Sequence, residues 1–68
     1  MRYLLKMTII KRFSNQFRFA KYIGRNDNFV SRIISERQEL TNEQKDQWFL
    51  ALEVSDRTTF DYIYNEKI

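Results

Sequence analysis

The chain has no proline and a single glycine in 68 residues, so it has few places to turn sharply. Small sandwiches and barrels need several glycine turns and are excluded first. What remains is a helical chain. Its 43% hydrophobic and 16% aromatic content suffices for a packed core and is too rich for a disordered tail. At this length there is room for one domain, residues 1–68, with a thin core.

The same inventory removes most chemistry. There is no Cys, so neither a disulfide nor a thiolate metal site is available, and no His, so the usual general base and zinc ligand are missing. Nucleophilic triads of the usual kinds are therefore out of reach. The carboxylate pairs Glu36/Glu39 and Glu43/Asp46 fall in a loop or on a solvated helix face. No P-loop or dinucleotide fingerprint occurs. The expectation is a non-enzyme with no catalytic residue, no metal, no cofactor and no small-molecule ligand.

Charge is unevenly placed. Residues 1–34 hold eight cations and one anion, whereas residues 35–68 hold four cations and eight anions. A basic half joined to an acidic half suggests a face made for a polyanion, against the plainer alternative of a solvated surface with chance asymmetry. Tyr3 to Ile10 is apolar but short and interrupted by Lys6, and no run approaches the roughly 20 residues of a membrane span. A cytoplasmic, nucleoid-associated protein without membrane contact is expected.

Local patterning divides the chain into five helices. Leu5, Ile9 and Phe13 recur every four residues and predict a helix over 3–13, although the β-branched stretch Thr8-Ile9-Ile10 leaves a strand open there. Ser14 or Asn15 caps a second helix, 16–23, with Phe19, Ala20 and Ile23 on one face and Gly24 ending it. Asn26 or Asp27 caps a third, 28–35, with Val30, Ile33 and Ile34 inward and Ser31, Arg32 and Ser35 outward. After a polar loop at 36–40, Thr41 and Gln44 form a capping box for a helix carrying Trp48, Ala51 and Leu52. Ser55 opens a fifth helix through Phe60, Ile63 and Tyr64.

Two short helices joined at the lone glycine, the second presenting polar side chains, follow the helix-turn-helix plan. From Gln16, a small residue (Ala20) lies four positions on, Gly24 eight, and the apolar anchors Val30 and Ile33 fourteen and seventeen. Ala20 lets the helices cross closely, Gly24 permits the turn, and the anchors seat the outer helix on the inner one.

On these residues the chain resembles the Cro/C-repressor-type (XRE) DNA-binding domains of phages and bacteria. Phe17-Arg18-Phe19-Ala20-Lys21-Tyr22-Ile23-Gly24 is similar to the family's first motif helix, Val30-Ser31-Arg32-Ile33-Ile34 to its recognition helix, and Arg37-Gln38-Glu39-Leu40-Thr41 to the loop that follows. The resemblance spans about residues 5–64 and implies an all-α, compact five-helix bundle of lambda-repressor type, with the helix-turn-helix at about 16–35. Two departures stand out. Glu36 occupies the place where the family often has Gly, so either the helix runs on or Glu36 takes a strained turn. Arg25-Asn26 stands where Val-Ser or Thr-Ser is common.

The resemblance implies a sequence-specific, double-stranded DNA-binding transcriptional regulator. Gln16 would meet a phosphate at a helix N-terminus. Asp27, Asn28, Ser31 and Arg32 would face the major groove, with Arg32 matching guanine, Asn28 matching adenine, and Asp27 either accepting from cytosine or capping the helix; Asn26 would belong to the same DNA-binding set. Arg25, Ser35 and Arg37 would lie along phosphates. Lys11, Arg12, Arg18 and Lys21 would add affinity without sequence information.

Other readings stay open. Phe13, Phe17, Phe19 and Phe29 are either core or a stacking surface for single strands, and Phe17 and Phe29 fall off the main apolar stripes, so one of them is expected at the surface. Trp48, Phe49, Tyr62, Tyr64 and Ile68 exceed what so small a core hides, which suggests packing on the first helix or a homodimer. The alternative function is a helix-turn-helix-fold protein-interaction module of antirepressor or antitoxin-like kind, favoured by Glu36 and the acidic second half.

Overall fold

A computed structural model describes residues 1–66 and contains five helices: α1 (Tyr3–Phe13), α2 (Gln16–Tyr22), α3 (Asp27–Ile34), α4 (Asn42–Ala51) and α5 (Arg57–Asn65). No strand occurs among the described residues, so the open choice at the N-terminus resolves as helix. The chain is a compact all-helical bundle with a radius of gyration of 10.7 Å. Among the described residues no helix is long and apolar enough to cross a membrane.

Four of the five helix starts are written in local chemistry. The side chains of Asn15, Asn26 and Asp56 accept the N–H of Arg18, Phe29 and Thr59, each at 2.8 Å. The Thr41–Gln44 capping box is reciprocal, with bonds of 3.2 and 2.9 Å. Helix ends shift by one residue from expectation: α2 stops at Tyr22 rather than Ile23, and α3 runs from Asp27 to Ile34 rather than 28–35. Asp56, not Ser55, caps α5, and of the two caps open for α3 it is Asn26, so Asp27 is its first residue. A carboxylate or amide reaches the third N–H ahead from an extended backbone, which Asn26 and Asp56 both have.

The turn after α2 is a Schellman closure. Gly24 adopts φ 73°, and the N–H groups of Gly24 and Arg25 donate to the carbonyls of Lys21 and Ala20 at 3.1 and 2.9 Å. The same closure recurs after α3, where Glu36 has φ 65° and the N–H groups of Glu36 and Arg37 donate to Ile33 and Arg32. α3 therefore stops at Ile34 and does not run on through Glu36.

The core is one cluster. Leu5 and Ile9 of α1 meet Phe19 and Ala20 of α2, the underside of α3, and Trp48. The Trp48 ring meets the ring of Phe19 edge-on at 4.8 Å. Phe29 is buried and Phe17 is exposed, which settles which of the two leaves the core. Trp48 and Tyr64 are buried, Phe49 and Ile63 half-buried against the core, and Tyr62 exposed, while Ile68 lies outside the described residues.

One charged side chain belongs to this core. Arg2 is buried, with Nε donating to the carbonyl of Tyr64 at 3.0 Å, Nη1 donating to the carbonyl of Ile33 at 2.6 Å, and Nη2 paired with Glu39. Its own N–H donates to Ile34 at 2.7 Å. A buried guanidinium is tolerable only with its donors satisfied, and here it ties the start of α1 to the ends of α3 and α5.

Candidate nucleic-acid interface

α3 has two unlike faces. Phe29, Val30, Ile33 and Ile34 are buried, which fixes the helix axis against α1, α2 and Trp48. Asn28, Arg32 and Ser35 are exposed and Ser31 is half-exposed. These four, with Arg37 from the following loop, line one shallow depression. The helical spacing that buries one set necessarily presents the other.

Neighbouring groups hold the polar face in place. Arg32 Nε donates to Gln38 Oε1 at 3.1 Å, while the Gln38 N–H donates back to the Arg32 carbonyl at 3.3 Å. Gln38 thus grips Arg32 at both ends. Sequence reasoning missed it, because nothing local marks a residue whose role is set by the fold of its own loop. Ser35 Oγ donates to the Arg32 carbonyl at 3.3 Å. Gln16, the first residue of α2, lies 3.4 Å from Ser31 Oγ through Nε2 and so bridges the two helices.

The remaining candidates lie around the N-terminus of α3. The Asn26 Oδ1 is occupied by the Phe29 N–H, which leaves its amide nitrogen to donate outward. Asp27 is exposed and borders a separate depression with Gln16, Phe17 and Lys6. Arg25 is exposed and its guanidinium stacks 4.0 Å over the Phe29 ring, a cation–π contact that orders the side chain at the turn. Of the nine candidates, five share the α3 depression and Gln16 reaches it through Ser31, while Arg25 and Asn26 lie in the turn before α3 and Asp27 borders the other depression.

Two charges behave differently from expectation. Arg12 is paired with Glu53, so it contributes less to an outer basic field than Arg18 and Lys21, which are exposed and form no ion pair among the described residues. Glu36, at the far end of α3, accepts a hydrogen bond from the N-terminal amine at 2.6 Å. That amine, by hydrogen bond and by charge, holds the Glu36 carboxyl below the usual carboxylate range and offsets part of its repulsion of an anion.

Physically, the depression is a polar row of donors and acceptors on a rigid helix, with Arg37 at its edge. It can read hydrogen-bonding edges and cradle oxyanions. No family model, curated protein or solved structure matches this chain.

Proposed function

We propose that this chain is a sequence-specific double-stranded DNA-binding regulator of Cro or repressor type, built on a lambda-repressor-like helix-turn-helix, with α3 set into the major groove. The observation that carries the reading is the division of α3 into a buried underside and an outward row, Asn28, Ser31, Arg32 and Ser35, that shares one depression with Arg37. Arg32 reads guanine through its two-pronged donor, and Asn28 reads adenine. Gln16, Arg25, Ser35 and Arg37 take phosphates, and Arg18 and Lys21 supply field. The protein acts as a homodimer on an inverted repeat with half-sites about 34 Å apart. It works by occluding a promoter or competing for an operator.

The experiment is a gel-shift titration on the DNA upstream of its own gene, at several salt concentrations. Arg32→Ala costs about 1–3 kcal/mol against the preferred site and flattens discrimination. Lys21→Ala weakens binding to all sequences alike and lowers the salt slope by about 0.9. If both changes leave binding untouched, the assigned face is wrong.

A second reading is favoured by Glu36 and Glu39, two carboxylates just past α3: the outward row is an interaction surface for another protein. Affinity for random duplex DNA at low salt separates the two. Millimolar or weaker binding supports the protein partner, because a DNA-facing basic surface binds far more tightly than that.

A further inference from the structure

α1 is apolar on two sides and the chain covers only one of them. Its inner side, Leu5 and Ile9, is fully buried. Its outer side carries Tyr3, Leu4, Met7 and Ile10, all exposed, with Met7 62% accessible. Tyr3, Met7 and Ile10 follow the alternating four-then-three spacing of a helix-packing seam. A helix apolar all round is ordinarily enclosed. Across from this stripe, Tyr62 of α5 is 64% accessible and lines the same groove as Leu4, Met7 and Ile10.

We propose that this α1–α5 groove is a homodimer interface in which α1 of each copy packs against α5 of the other. The exposed parts of Tyr3, Leu4, Met7, Ile10 and Tyr62 amount to about 500 Å² of apolar side chain. That is around a tenth of the 4681 Å² accessible surface. A standard-size interface takes about 800 Å² from each partner, and the polar rim of Thr8, Lys11 and Thr59 adds to the apolar area.

Charge decides the pairing. Of the cations of α1, Lys11 lines this groove and no anion of α1 does, so α1 laid against its own copy brings the two Lys11 ammonium groups to one face. Among the described residues, the exposed face of α5 around Tyr62 carries Thr58, Thr59 and Asn65 and no cation, and the helix ends in its negative pole with Glu66. Cationic α1 against neutral-to-acidic α5 is the complementary arrangement, and a two-fold axis makes it twice. The groove shares no residue with the α3 depression, so the dimer leaves that row open. This inference does not depend on what α3 binds.

The test uses the full chain without DNA. Sedimentation of the wild type gives a dimer in the micromolar range, and Met7→Glu gives a monomer with unchanged helical circular dichroism. Because the chain has no Cys, engineered thiols report directly on the pairing. Met7→Cys chains mixed with Tyr62→Cys chains form a mixed disulfide under mild oxidation, while Met7→Cys alone cross-links at least tenfold more slowly. A wild type that stays monomeric, including one that instead uses the groove for a different protein, overturns the proposal. So does a dimer indifferent to Met7→Glu, or Met7→Cys linking to itself as fast as to Tyr62→Cys.

Discussion

Gly24 and Glu36 adopt the same left-handed backbone, φ 73° and φ 65°, at the C-terminal ends of α2 and α3. A glycine takes that conformation at little cost, whereas a residue with a Cβ is strained by it. What offsets the strain at Glu36 is the contact of its carboxylate with the N-terminal amine, a pair with both groups open to solvent. Exposed pairs of this kind contribute little. Glu36→Gly is therefore expected to raise the melting temperature, and also to strengthen binding to duplex DNA by removing an anion beside the α3 row. A thermal melt and a shift assay at low salt check the two effects separately. A lower melting temperature means that the amine contact outweighs the backbone strain.

The Arg32–Gln38 contact makes Gln38 a positioning residue for the proposed base reading. Gln38→Ala frees the Arg32 guanidinium to sample other rotamers, and one hydrogen bond is worth roughly 1 kcal/mol net. The expected result is about a fivefold loss of preference for the specific site at that conversion, with affinity for random DNA and the salt slope unchanged, since Gln carries no charge. Competition titrations with specific and random duplexes measure the ratio. An equal loss on both duplexes reduces Gln38 to a structural role.

These two positions also show where the sequence is legible. The Thr41–Gln44 box, the Asn15 cap, the lone Gly24 and the inward spacing of Val30, Ile33 and Ile34 are local signals, and local physics decides them. Glu36, Glu53 and Glu66 carry no such signal. All three take positive φ, and all three side chains reach α1 or the residues just before it: Glu36 the N-terminal amine, Glu53 the Arg12 side chain, and Glu66 the Leu4 N–H. Their conformations are set by a partner far along the chain, which no window of neighbours contains. Arg2 is hidden for the same reason, because an Arg near a terminus reads as surface until the carbonyls of Ile33 and Tyr64 are placed around it. Within the candidate site, the outward row follows from periodicity, while the Gln38 grip and the choice of Asn26 over Asp27 as cap depend on backbone angles that periodicity leaves undetermined.

Tyr64 makes stability fall at high pH. Its hydroxyl accepts the Leu40 N–H at 2.9 Å in a buried setting, and burial pushes the phenol above its ordinary value. With the folded pKa raised, the neutral phenol's contribution is complete below the unfolded value of about 10 and is lost as pH rises from there through the folded pKa. Tyr64→Phe leaves the Leu40 N–H without its acceptor and costs about 1–3 kcal/mol at neutral pH. Because the variant cannot ionise there, the gap between it and the wild type narrows above about pH 10. Urea titrations at neutral and alkaline pH measure that gap, and a gap that widens contradicts the assignment.

Arg2 holds more of the fold than any other charged side chain described here. It is buried, and two of its donors satisfy the carbonyls of Tyr64 and Ile33 at 3.0 and 2.6 Å, while the guanidinium lies 4.2 Å over the Tyr64 ring. Arg2→Leu strips both carbonyls of a donor, at about 1–3 kcal/mol each, and regains part of this through apolar packing. The loss of the Glu39 partner adds little, because that carboxylate is mostly exposed. A net loss of about 3 kcal/mol is expected, which is a large share of the roughly 3–10 kcal/mol available to a domain of this size. At about 4–8 °C per kcal/mol, the melting temperature falls by roughly 12–24 °C. Glu39→Gln moves it by only a few degrees, and Arg2→Lys falls between, since an ammonium cannot span both carbonyls with a rigid fork. Thermal melts of the three variants settle the ranking. An Arg2→Leu protein that melts like the wild type shows that water serves those carbonyls equally well, and that the tie from α1 to the ends of α3 and α5 is dispensable.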